Sequence, residues 1–284
     1  LFLVGIVLYQ RYGETFLRLT LYAINFTIGV QVLASFVYRT GSRGSIFFNN
    51  PNQLGYFALL AACVIVLLHW RLRLNLIVTS VMLASCGYLS ALSASRSALG
   101  GIALLLALLV FSNPRVIIGV VVAAVLLLFV GGPVANAVDA AENRVRNRHS
   151  NAGFFEERGY DRIWEHQEYL VFGAGEGGLS RFDGDRKFRM EIHSSAGTVL
   201  FSYGIIGATL FLLFMWRLMR GAGWRLMIVL VPPISYAVAH QSLRFTLLWV
   251  LLAIFVVVKH ERAGARARPA SVARTPDPRL IRST

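Results

Sequence analysis

Side chains that could carry out chemistry are concentrated in one polar stretch, residues 132–195. It holds 11 of the 14 Asp and Glu residues, 9 of the 28 Lys and Arg residues and 3 of the 6 His residues. His193, near its end, can exchange a proton near neutral pH. We therefore predict that this stretch carries the function of the chain.

His193 is followed by two serines and then by an apolar run. Besides acting as a base, a histidine at this point can cap a helix or bond to a carbonyl group. Ser194 or Ser195 is the predicted N-cap of the following helix, and neither lies in a nucleophile-elbow motif. None of the 6 His residues stands at ligand spacing from a partner, so no metal site is predicted.

The segment Ser93-Ala-Ser-Arg-Ser97 places a single arginine, Arg96, between two apolar runs. A guanidinium near hydrocarbon is costly unless it is paired or faces a wet cavity. Arg96 either extends to the membrane surface from a helix end or binds a phosphate group. The sequence leaves both interpretations open.

A glycine-rich segment, 172–179, follows a predicted short amphipathic helix at 162–169. Its glycines Gly175, Gly177 and Gly178 would let the backbone approach a ligand closely, although a flexible loop is the alternative. No Rossmann strand precedes the segment, so dinucleotide binding is not expected.

The elements around these residues are predicted from composition. The chain has 284 residues, of which 56% are hydrophobic and 15% charged, with a mean hydropathy of +0.60; soluble proteins have roughly 25% charged residues. Repeated apolar runs predict an all-α, polytopic membrane protein with about nine spans. The predicted spans are 1–10, 17–38, 53–69, 74–94, 98–111, 116–130, 196–216, 224–239 and 245–258. Since residue 1 already lies in an apolar run, we expect further spans before it.

The predicted organisation has four parts. Membrane helices occupy 1–131, the polar stretch forms one large loop at 132–195, further membrane helices occupy 196–258, and 259–284 is a basic disordered tail. Most of the net charge of +14 lies in short connectors and the tail, which favours a positive-inside membrane topology over nucleic-acid binding. Those connectors and the tail are predicted to be cytoplasmic. The Arg96 hairpin, the large loop and the turn at 240–244 then share the opposite face. Cys63 and Cys86 lie in apolar runs and are expected to be inert.

Together these segments resemble the O-antigen ligase and polymerase superfamily of bacterial membrane glycosyltransferases. The points of similarity are Phe48-Asn-Asn-Pro-Asn-Gln-Leu54 before a span, the Ser93–Ser97 hairpin and the large external loop. Arg162, 15 residues and Gly178 resemble the family's Arg-x15-Gly pattern. His193-Ser194, nine residues, Gly204 and Gly207 resemble its His-[Asn/Ser/Gln]-x9-Gly pattern. Family members usually have further spans before this point.

The resemblance implies a GT-C-like, inverting and metal-independent transferase of the bacterial inner membrane, without a cofactor. Its donor would be a glycan on undecaprenyl diphosphate, presented at the periplasmic face. The acceptor would be a sugar hydroxyl of lipid A–core or of another glycan. Arg96 and Arg162 would stabilise the leaving diphosphate, with Arg43 and Arg158 supporting them. His193 would be the base, with Glu165 or Glu168 as the competing choice.

Four other functions remain open. An O-antigen or exopolysaccharide polymerase and a protein O-oligosaccharyltransferase share these motifs, so the acceptor is not decided. A transporter is allowed by Pro232-Pro233, although no acidic residue lies within the spans from 17 to 130. A lipid-binding scaffold would tolerate the loss of Arg162 and His193.

Overall fold

The computed structural model describes residues 1–37, 44–112, 114–119, 158–176 and 192–267, with positions 121, 139, 142 and 155. All regular secondary structure in this part of the chain is helical, which confirms the all-α prediction. The helices are α1 Phe2–Tyr12, α2 Glu14–Val37, α3 Pro51–Leu72, α4 Leu76–Leu92, α5 Arg96–Ser112, α6 Asp161–Glu165, α7 Ser195–Met219, α8 Trp224–Ala239 and α9 Thr246–Ala267. A 3-10 turn, Gln167–Tyr169, follows α6.

Three of these helices, α2, α3 and α7, are long and apolar enough to cross a membrane. The shorter helices α4, α5 and α8 are also apolar. Large hydrophobic side chains are exposed along α2 and α7, among them Phe26, Leu33, Leu210 and Leu212. Apolar surface of this kind suits contact with lipid. The number of about nine spans remains a prediction, because most of the predicted span at 116–130 lies outside the described residues.

α3 is the central helix of the bundle. Of the 18 most apolar consecutive residues of α3, 78% are buried, whereas the corresponding values are 33% for α2 and 22% for α7. It packs against α2, α4, α5, α8 and α9. Gly101 of α5 permits the closest of these approaches, since a Cβ there would lie 2.7 Å from Leu59 and 2.8 Å from Pro232. Cys63 and Cys86 are free and buried in this core, as expected.

The start of α3 follows directly from its sequence. Asn50 accepts a hydrogen bond through its side-chain oxygen from the Gln53 amide at 3.0 Å. Pro51 occupies the first helical turn, where its missing N–H costs nothing. The Asn-Pro-Asn part of the segment that resembles the glycosyltransferases therefore begins the central helix.

Polar contacts join the helices at the end of the bundle where α1 and α3 finish. Glu261 of α9 accepts hydrogen bonds from Arg71 of α3 and Tyr9 of α1. Lys259 of α9 donates to the Leu218 carbonyl of α7 at 2.8 Å. These groups belong to the connectors that the charge pattern predicts to be cytoplasmic. The segments predicted to carry function lie at the other ends of the same helices.

Two helices differ from expectation in continuity. Proline favours a kink or break in a helix, but α8 continues through Pro232 and Pro233, from Trp224 to Ala239. The break is in α7, which the sequence predicted as uninterrupted. At Gly204 the backbone is non-helical, with φ 65° and ψ −171°, and it accommodates the polar stretch described below.

Candidate functional site

His240, immediately after α8, anchors the start of the described loop. Arg158 Nη1 lies 3.3 Å from His240 Nδ1. Because a guanidinium only donates hydrogen bonds, His240 Nδ1 must accept, and the proton of the neutral ring then lies on Nε2. The His240 ring also packs on Tyr236, with 4.4 Å between the ring centroids. His240 therefore connects the loop to the membrane helices.

The backbone of His193 contacts the backbone of Arg158. The His193 amide donates to the Arg158 carbonyl at 3.0 Å, so the segment that contains Arg158 meets the segment that contains His193 at this point. The His193 side chain is exposed, which leaves it accessible to a substrate. The structure thus brings together Arg158 and His193, two of the residues predicted from sequence.

Ser194 and Ser195 hold this junction in place. Ser194 is the N-cap of α7, as predicted, and accepts from the Gly197 amide at 3.1 Å. The Tyr160 hydroxyl lies 2.6 Å from Ser194 Oγ and donates to the Val238 carbonyl at 3.0 Å. The backbone of Ser195 donates to the His240 carbonyl at 3.1 Å. Ser195 Oγ accepts from the Ser242 amide at 2.6 Å. These contacts give both serines a structural role.

Arg162 lies in α6, four residues after Arg158, and is buried with 3% exposure. Its guanidinium carbon lies 5.8 Å from the centre of the Phe201 ring of α7. Burial lowers the pKa of Arg162 from its ordinary value, while the charge of Asp161 acts in the opposite direction. A buried guanidinium is costly to maintain, and such groups cluster at functional sites.

The glycine-rich segment fits into the break of α7. The amides of Ala174 and Gly175 donate to the carbonyls of Phe201 and Ser202 at 2.7 and 2.8 Å. The Ile205 amide donates to the Leu170 carbonyl at 2.8 Å. The loop therefore supplies the hydrogen bonds that α7 loses at Gly204.

Glycine is required at the crossing because the two backbones are in contact. A Cβ on Gly204 would overlap the Val171 carbonyl and lie 2.6 Å from the Gly173 nitrogen. The backbone approach expected from this segment is thus made to the chain's own helix. A ligand-binding role for Gly175 remains a prediction, and Gly177, Gly178 and Arg43 lie outside the described residues.

Arg96 begins α5 and is half-buried. Its Nε is buried and has no hydrogen-bond partner in the described part of the chain. The preceding hairpin packs tightly on α3, since a Cβ on Gly55 would lie 2.7 Å from Ser93 Oγ. The Tyr236 hydroxyl then donates to the Asn52 carbonyl at 2.7 Å. A chain of contacts through α3 and α8 thus connects Arg96 to His240.

The carboxylates considered as alternative bases have different surroundings. Glu165 and Glu168 are both exposed, and Glu168 lies 3.2 Å from His166 Nδ1. Glu176 accepts a hydrogen bond from the Tyr203 hydroxyl at 2.6 Å. Within the described residues, no group of three or more His, Cys, Asp or Glu side chains is placed so that it could hold a metal ion.

His240, Tyr160 and Tyr236 are the residues that sequence reasoning missed. The available signal was topological, since the turn at 240–244 was predicted to share a face with the polar loop. Comparison of the chain with family models, curated proteins and solved structures finds no match. The fold and site define an all-helical protein with helices of membrane-crossing length and a basic, histidine-containing site at one end of the bundle.

Proposed function

We propose that the protein is an O-antigen ligase-like glycosyltransferase of the bacterial inner membrane. It moves a glycan from undecaprenyl diphosphate to a sugar hydroxyl of lipid A–core at the periplasmic face. The observation that carries the proposal is the junction of Arg158, His193 and His240, with buried Arg162 four residues after Arg158 in the chain. A site of this kind combines fixed positive charge with an accessible group that can accept a proton.

The reaction is an inverting displacement at the anomeric carbon of the donor sugar, without a metal ion. The acceptor hydroxyl attacks this carbon and transfers its proton to His193. The bond between the anomeric carbon and the diphosphate oxygen breaks, and the lipid diphosphate leaves with the electron pair. Arg162 and Arg96 stabilise the negative charge on the leaving group, supported by Arg158. Each such contact contributes about 2–4 kcal/mol to the stability of the transition state.

The proposed topology has about nine spans, with the large loop in the periplasm and the basic tail in the cytoplasm. Contacts at both ends of the bundle support this arrangement. The contacts of Glu261 and Lys259 join α1, α3, α7 and α9 at one end. Those of Asn52, Tyr236 and His240 join α3, α8 and the loop at the other.

The proposal is tested by glycan transfer in membranes of a cell that lacks its own O-antigen ligase. The readout is glycan on lipid A–core, normalised to the amount of protein in the membrane. We expect transfer by the full-length protein and a loss of about 100-fold or more in His193→Ala, because general-base catalysis contributes about 100-fold or more. Arg162→Ala should lose about 30-fold to 1,000-fold through the missing leaving-group contact.

His260→Ala is the matched control, since His260 is exposed and lies at the opposite end of the bundle; it should retain full transfer. Longer lipid-linked chains without lipid A–core product would identify a polymerase instead. Full activity in His193→Ala and Arg162→Ala would overturn the site, and a transporter or scaffold function would then be favoured.

A further inference from the structure

A cavity of about 440 Å³ lies beside the junction, between α7, the start of α9 and the turn that joins α8 to α9. Ser195 lies in its wall. The same serine holds the turn through its bonds to His240 and Ser242. The cavity therefore borders the candidate site while extending along the membrane helices. Its volume falls within the range of roughly 300–1,000 Å³ that is typical of small-molecule sites.

The polar lining of the cavity is provided by side chains that bind hydroxyl groups. Glu176, Thr198, Gln241 and Arg244 all line it. The Glu176 carboxylate accepts one hydrogen bond from Tyr203 and has capacity for more. Thr198 and Gln241 also donate to the Ile192 carbonyl, at 3.3 and 2.9 Å. Their oxygens and the Glu176 carboxylate are acceptors for hydroxyl groups, and the Arg244 guanidinium is a donor. A sugar ring presents several such hydroxyls.

The rest of the lining is apolar and aromatic. Val199, Leu210, Phe211 and Trp249 line the cavity. The Trp249 Nε1 donates to the Leu243 carbonyl at 2.9 Å, so its only polar atom is satisfied and the indole ring serves as apolar surface. Gly207, also in the lining, packs closely on Tyr203, since a Cβ there would overlap the Tyr203 side chain. A hydrocarbon chain fits this part.

A second cavity makes the contrast clear. It has a volume of about 380 Å³ and lies near α1, α2 and the start of α9. The side chains that line it are apolar apart from Thr20, Thr27 and Thr246. It offers no carboxylate or guanidinium to a polar head group. Of these two cavities, the one beside Ser195 combines charged and apolar groups in its lining.

We propose that the cavity beside Ser195 binds a glycolipid at the junction of its sugar and its hydrocarbon chain. The sugar hydroxyls contact Glu176, Thr198 and Gln241, and the first part of the chain lies against Leu210, Phe211 and Trp249. This inference deepens the proposed function, on which it rests for the source of the ligand: the glycolipid acceptor and not the diphosphate-linked donor. Binding itself requires no transfer reaction, so the two can fail separately.

The test uses the full chain in lipid nanodiscs and a dodecyl glucoside that carries a diazirine in its alkyl chain. After photolysis, the labelled peptides are identified by mass spectrometry. We expect label in peptides from 195–219 and 241–249. Unlabelled dodecyl glucoside should compete about tenfold better than dodecanol, because the sugar adds hydrogen bonds to a charged group. Dodecyl phosphate is included to separate recognition of an anion from recognition of a sugar.

Two substitutions on one helix provide the matched variants. Leu210→Trp fills the cavity and should reduce labelling about tenfold, since it displaces the chain. Leu212→Trp adds the same bulk to an equally exposed leucine that does not line the cavity, and it should label like the wild type.

Glu176→Gln keeps the volume of the side chain and removes its charge. It should abolish the preference for the glucoside over dodecanol without changing how dodecanol competes. Equal labelling of the two leucine variants, or equal competition by dodecanol and dodecyl glucoside with the wild type, would overturn the inference. Preferential competition by dodecyl phosphate would overturn it too, because the site would then recognise an anion. If this labelling is found while transfer fails, the cavity remains and the proposed function does not.

Discussion

The two histidines of the candidate site have different surroundings, and this assigns them different roles. His193 is exposed, and its backbone amide donates to the Arg158 carbonyl. His240 presents Nδ1 to Arg158 and packs on Tyr236. A base must exchange its proton with the substrate, which suits His193. His240 is a positioning residue, because its nitrogen acts through Arg158.

We predict that His240→Ala lowers the kcat/KM of glycan transfer by about 10-fold to 100-fold, the equivalent of about 1.5–3 kcal/mol for a hydrogen bond to a charged group. His240→Asn should restore most of this loss, because the asparagine side chain can place an acceptor near the former Nδ1. His240→Phe keeps the ring on Tyr236 without the acceptor and should stay impaired. The measurement is transfer rate against acceptor concentration in membranes.

A merely structural role for His240 would give a different pattern. In that case His240→Phe, which retains the ring packing, would be the active variant and His240→Asn the impaired one. Protein levels and thermal unfolding midpoints of the three variants in detergent provide the folding control. Equal activity of all three would contradict the proposed contact with Arg158.

At the scale of elements, the break in α7 is the feature that positions the loop. It depends on Gly204, whose positive φ and contact with Val171 exclude a side chain. We predict that Gly204→Ala releases segment 170–175 from α7 and lowers the free energy of unfolding by about 1–3 kcal/mol. Hydrogen–deuterium exchange should increase at the Ala174, Gly175 and Ile205 amides, which bond across the crossing.

Gly29→Ala provides the matched comparison for this change. Gly29 lies within α2, and a Cβ there would meet nothing within 4 Å. In a helix this substitution is expected to be neutral or to stabilise by up to about 1 kcal/mol. Unchanged exchange in Gly204→Ala would mean that α7 does not need the glycine in order to admit the loop.

Several helices could be predicted from the sequence because each depends on its own apolar run. The predicted span at 224–239 matches α8, and those at 53–69 and 98–111 fall within α3 and α5. The predicted helix at 162–169 is present as α6 and a 3-10 turn. Whether one of these segments forms a helix depends on its own residues. The hydrophobic pattern along the sequence therefore predicts it.

The features that could not be predicted depend on distant partners. The break at Gly204 requires the backbone of segment 170–175, and no local pattern in α7 indicates it. The role of His240 requires Arg158, which lies in another part of the sequence. His193 could be proposed from its residue type and Arg158 from the family resemblance, but their meeting point is a property of tertiary structure.

At the scale of the whole molecule, the buried helix α3 runs between two ends of the bundle that carry different polar contacts. The Arg71 and Glu261 contacts join helices at one end, and the junction of Arg158 and His240 lies near the other. The central position of α3 fixes both ends relative to each other, because it packs against five other helices. A buried central helix with the candidate site at one end suits a protein that receives substrates from the membrane plane.

This arrangement predicts that the two ends face opposite sides of the membrane. Cys63 and Cys86 are fully buried, so the native chain should give little reaction with a membrane-impermeant maleimide. We expect Glu168→Cys, at an exposed loop position, to be labelled in intact spheroplasts. His260→Cys, exposed at the end of α9, should be labelled only after permeabilisation. Labelling of both variants from one side would contradict the alternation of spans, and with it the placement of the Arg158 and His193 junction at the periplasmic face.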